Sequence, residues 1–153
     1  MQRYGLFLVF LFWLICAPSH VKGLAVINKL SGERLKEWLS TNEIKVKVTE
    51  FGEMWMFAIT CPPQKDQEQQ WGMSLHLKRN GIDIAEVKVK PRALTKLEWK
   101  EREGRPPFEF KVSKDLMAES TIMMYMEHKM PSDLSTDPHI YNAINLKDLL
   151  PAR

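Results

Sequence analysis

The sequence predicts an all-β fold: an immunoglobulin-like β-sandwich of about seven or eight short antiparallel strands with one short N-terminal helix. Three observations lead there. Apolar residues recur at every second position through most of the chain beyond residue 43. Gly, Pro and Asn-Gly turn signals break these runs at short intervals. Only one segment carries helical spacing. A small β-barrel is the alternative, because strands of this length and spacing build either architecture.

The first residues read as an export signal. Arg3 gives a positive start, Leu6 to Cys16 form an apolar core, and Ala17, Ser19 and Gly23 are small. The apolar run is about half of the ~20 residues a helix needs to span a bilayer. Residues 1–23 are therefore expected to be a signal peptide, cleaved after Ser19 or Gly23, with residues 24–153 forming a single β-sandwich domain. Retention as an anchor is the rival reading. Lipidation at Cys16 is disfavoured by Ile15, where a small residue is wanted.

The elements follow in order. Ser31 stands at a helix N-cap, Leu30 can staple onto Leu35, and Leu35, Trp38 and Leu39 form one stripe that Asn42 stops. In "EIKVKVTEF", Ile44, Val46 and Val48 alternate with Lys45, Lys47 and Thr49. "MWMFAITC" follows Gly52 closely enough for a hairpin and is apolar on both faces, as a central strand would be. Pro62-Pro63 ends it, and "QKDQEQQ" is a polar loop.

"WGMSLHLKRNGIDIAEVKVKP" carries the strongest local signal. Trp71, Met73, Leu75 and Leu77 share a face, and Asn80-Gly81 supplies a type I′ turn. Lys78 should then face Asp83. The apolar phase slips after Ile84 to Ala85, Val87 and Val89, which predicts a bulge near Ala85. "ALTKLEW" is a candidate strand and "KEREGRPP" a charged loop. "FEFKVS", "STIMMYMEHKM" and "HIYNAINL" are further strands, "KDLMAES" is a short turn, and "KDLLPAR" ends in a helical turn or a tail.

Composition narrows the function. The chain has 22 Lys+Arg and 19 Asp+Glu. Loss of Arg3 and Lys22 with the signal leaves an almost neutral domain without a basic block, which argues against nucleic acid as a partner. No stable membrane insertion is expected after signal cleavage. Only Cys61 remains beyond the signal, so no internal disulfide forms. It reads as a small buried hydrophobe at a strand end, with a reactive thiol or an intermolecular disulfide as the functional alternatives.

Catalytic constellations are missing. No Gly-x-Ser-x-Gly elbow, Gly-rich phosphate loop or close Cys/His pair occurs. Loop carboxylates Glu98, Glu101, Glu103, Asp133 and Asp137, with His139, leave a hydrolase as one alternative. Trp38, Trp55, Trp71, Trp99 and Tyr125 could stack on a ligand ring, and Trp99, at the head of a charged loop, is the one expected to be exposed.

The stretch "MMYMEHKM" raises a second alternative. Met124, Met126 and His128 point one way along a strand, and thioether with imidazole suits Cu(I). Residues i and i+2 lie about 7 Å apart at Cα. Against this soft-metal carrier stands the stripe itself, which begins at Ile122 and continues to Met130 as the wall of a core would. An N-terminal His20, exposed by cleavage after Ser19, would be a further copper ligand. No residue is assigned as catalytic, cofactor-binding or metal-ligating, and no cofactor is expected. The reading that remains is an exported, periplasmic or secreted, non-enzymatic module that binds a protein or surface component.

Overall fold

The computed structural model of the chain describes residues 25–65, 69–128 and 140–152. The expected signal segment, His20, Met130, Asp133, Asp137 and His139 lie outside the described residues, as does the side chain of His128.

Among the described residues eight strands form two sheets: β1 (Val26–Leu30), β2 (Lys45–Phe51), β3 (Met54–Thr60), β4 (Gln69–Arg79), β5 (Ile82–Val89), β6 (Phe108–Ser113), β7 (Thr121–His128) and β8 (Ile140–Asn145). The larger sheet has the order β1-β8-β7-β4-β5 and the smaller β2-β3-β6. The fold is an all-β sandwich. Both sheets keep open edges, so the barrel alternative does not hold. β3 lies beside β6 on one sheet and β4, β7 and β8 adjoin on the other. This is the neighbour order of strands B and E, and of C, F and G, in immunoglobulin domains, with β5 in the place of C′.

Period-two patterning places the core. Phe57 and Ile59 from β3 meet Met73 and Leu75 from β4, Ile122 and Met124 from β7, and Ile144 from β8, all of them buried. The stripe that begins at Ile122 is thus a wall of the core at least as far as Met124. The β2–β3 hairpin turns through Gly52, and Asn80 and Gly81 adopt φ of 51° and 74° between β4 and β5. The β4–β5 register shifts between Leu77 and Lys78, so that Leu77 faces Ala85 while Lys78 faces Asp83. Ile84 is the extra residue of the expected bulge. Lys78 Nζ lies 3.8 Å from Asp83 Oδ1.

Four expectations are corrected. The strands are not all antiparallel, because β1, a segment with no strand signal of its own, pairs parallel with β8. Among the described residues there are two α-helices rather than one, α1 (Gly32–Thr41) and α2 (Lys96–Glu101). The segment "ALTKLEW" is not a strand: Thr95 accepts a hydrogen bond from the Glu98 N–H, and the Glu98 carboxylate accepts one from the Thr95 N–H, so a reciprocal cap starts α2 there. Ser31 occupies the N-cap of α1, but its side chain makes no capping bond. Leu30 and Leu35 are both buried in the core, as the staple requires.

Candidate functional site

One end of the sandwich gathers long connections. β3 ends there and β4 begins, β5 ends and β6 begins, and β7 ends beside the start of β4, with Gln69 opposite His128. In variable immunoglobulin domains the loops at this end, B–C and F–G among them, carry the binding surface. The opposite end holds the two tight hairpins.

Three neighbouring hollows that share lining residues surround residues 60–65 at the loop end. The first, about 300 Å³, lies between Cys61-Pro62-Pro63, Trp71, Pro91, Arg105-Pro106 and Phe108. The second, about 470 Å³, continues past Trp71 to Met126 and to Thr41-Asn42-Glu43 at the end of α1. The third, about 310 Å³, is polar and carries Glu43, Lys45, Glu101, Arg102, Glu103 and Arg105.

Trp71 divides the first two hollows. Trp38 from α1 meets its ring edge-to-face, with centroids 6.1 Å apart, and Met126 is its cross-strand neighbour. Both Trp71 Nε1 and Arg105 Nε are enclosed, and neither has an acceptor among the described residues. Arg105 is held through Nη2, 3.3 Å from Glu103 Oε2. A buried donor without an acceptor costs about 1–3 kcal/mol. Both residues line the first hollow, although the two donor atoms themselves have almost no exposed surface.

Cys61 is buried at the base of this end, and burial pushes its thiol up to about 12. Such a thiol is almost wholly protonated near neutral pH, which removes its nucleophilicity. Among the loop carboxylates, Glu98 accepts from Arg92 at 3.0 Å and from Thr95, which brings its carboxyl down to about 2. It serves its helix and the Arg92 ion pair. Arg92 also pairs with Glu109 at 3.1 Å. Glu101 and Glu103 line the polar hollow together with Arg102 and Arg105.

The remaining candidates scatter. Met124 has no exposed surface and lies opposite Met73 in the core, whereas Met126 lines the second hollow. Trp99 is 57% exposed, as expected, with its ring over Gly104. Trp55 packs against the core beneath Lys114. Tyr125 is on the outer face of the larger sheet, its ring centroid 5.1 Å from that of Tyr141. Among the described residues no three His, Cys, Asp or Glu side chains converge on a point.

Sequence reasoning picks out Trp71 and Cys61 but not Arg105, Pro91 or Pro106. The "GRPP" stretch that holds Arg105 is a visible breaker signal, yet its meeting with Trp71 follows only from the β5–β6 crossover. The chain matches no protein-family model, no curated protein and no solved structure.

Proposed function

We propose that the chain is an exported, non-enzymatic binding module that takes an extended segment of a protein or surface component between the 61–65 and 102–106 loops. The observation that carries this reading is one hollow walled by prolines and Phe108 whose lining includes the N–H-bearing side chains of Trp71 and Arg105. Backbone carbonyls of an extended ligand are acceptors of the right kind, and apolar walls with few polar points are what ligand sites use for affinity and orientation. The neutralised Cys61 thiol and the engagement of Glu98 with Arg92 and Thr95 favour binding over hydrolysis. Burial of Met124 weighs against the soft-metal carrier, since it takes one of the three proposed ligands into the core.

Panning a random peptide library against the protein tests the reading. Selected peptides should move the Trp71 indole N–H resonance, and Trp71→Phe, which keeps a ring but loses the donor, should weaken them about tenfold. Peptides that bind without moving that resonance, or a library that yields none, would reject the site.

A further inference from the structure

The free edge of β5 carries a pattern that a binding module at the other loops does not use. Every residue from Ile82 to Lys88 is exposed, including Ile84 at 50% and Val87 at 48%, and β5 is the last strand of its sheet. The opposite side of the strand pairs with β4 from Ile82 to Val89, with Ile84 as the bulge. An open edge offers unpaired N–H and C=O groups to another strand. The bulge at Ile84 twists the tip near the Asn80-Gly81 turn away, but residues 85–89 keep a regular register with β4 before the chain crosses to β6 at Pro91.

We propose that this edge pairs with a second copy of itself, antiparallel, about a two-fold axis at Val87. Two identical edges related by a two-fold axis through a residue set that residue opposite its own copy. With Val87 there, Ala85 stands opposite Val89 of the second copy, and Glu86 stands opposite Lys88, on both sides of the axis. The apolar pairs fall on the face that Leu75 and Leu77 share, and the Glu–Lys pairs fall on the face of His76 and Ser74. Cross-strand pairs of these kinds favour a register, and like charges directly opposite disfavour it.

Neighbouring registers lack this match. An axis at Glu86 opposes two glutamates, and one at Lys88 opposes two lysines. An axis at Ala85 sets Ile84 against Glu86 and Asp83 against Val87. Of these registers, the Val87 axis alone matches charge with charge and apolar with apolar. Lys88 already lies 2.7 Å from Glu127 Oε1 on β7, so the arriving Glu86 would complete a Glu127–Lys88–Glu86 row across the junction. The two five-stranded sheets would become one continuous sheet of both copies.

Sedimentation equilibrium of the full chain, with cysteine cross-linking, tests this. The wild type should sediment at twice its single-chain mass. Val87→Lys, which opposes two ammonium groups on the axis, should return it to the single-chain mass. Glu86→Lys, a fully surface change, should do the same by setting the introduced ammonium group against Lys88 of the second copy, and covers the case in which the first variant fails to fold. Val87→Cys should cross-link on mild oxidation, because residues opposite each other lie about 4.5–5.5 Å apart at Cα, within disulfide reach. Ala85→Cys should not, since the two copies of residue 85 would be about 13 Å apart along the strand. A wild-type chain at single-chain mass at the highest concentration overturns the proposal. So do an unchanged mass in both lysine variants, or Ala85→Cys cross-linking as fast as Val87→Cys.

Discussion

Gly72 is the tightest point on the outer face of the larger sheet. It lies opposite Tyr125, whose ring folds across it, and the tyrosine hydroxyl reaches 3.2 Å from Ser74 Oγ. A Cβ at Gly72 would meet the Tyr125 ring and stand 2.9 Å from Glu127 Cδ. No rotation of a flexible chain end relieves this, because Tyr125 is itself pressed against Tyr141. Gly72→Ala should therefore cost about 1–3 kcal/mol in urea denaturation, the range of overpacking. The cost should shrink in the double variant with Tyr125→Ala, since the two residues are in contact and their effects cannot add. An unchanged cost in the double variant would place the penalty elsewhere.

At the scale of elements, both helices end the same way. In α1 the Ile44 N–H bonds to Leu39 O at 2.9 Å, and in α2 the Gly104 N–H bonds to Trp99 O at 2.9 Å. These are Schellman closures, which place one residue in the left-handed region, most often glycine. Here Glu43 and Glu103 take that place, each at φ 53°. Glu43→Gly and Glu103→Gly should each raise stability by about 0.5–1 kcal/mol, measured by the denaturant midpoint. The start of α2 gives a pH signature. The Glu98 carboxyl is held at about 2 by Arg92 and by Thr95. Its contribution is complete above the ordinary carboxyl range, about 4.3, and is lost as pH falls toward 2. Between those limits stability should fall less steeply in Arg92→Ala than in the wild type, because the variant carboxyl titrates nearer its unfolded value; parallel slopes would contradict the assignment. The same helix shows where the sequence misleads. "ALTKLEW" reads as a strand, while the deciding signal is the pairing of Thr95 with Glu98 three residues on. The β2–β3 and β4–β5 hairpins are legible because their partners are adjacent and their turns are marked. β1 is not, because "VINKL" is short and its partner β8 lies at the far end of the chain.

At the scale of the whole molecule, the alternation of Phe57, Met73, Met124 and Ile144 makes two layers legible. The candidate site is not, because it depends on groups that meet only across crossovers. Cys61 joins both levels: it follows directly on β3, belongs to the core, and lines the loop-end hollow. Burial raises its thiol to about 12, above the ~8.5 of an unfolded chain. The folded state thus holds this proton more tightly than the unfolded one. Its contribution to stability is complete below about 8.5 and is lost as pH rises through about 12. Alkaline destabilisation over that window should be less steep in Cys61→Ala than in the wild type, after allowing for the constant cost of the smaller side chain. Labelling by a disulfide reagent at pH 8 separates local from global opening. If the loop end opens by itself, the Cys61 labelling rate will be insensitive to Ile144→Ala, a change in the core on the other sheet. If the two layers part together, the rate will rise in step with the loss of stability. The continuous packing of Cys61 with Phe57, Ile59 and Phe108 in one core predicts the second outcome.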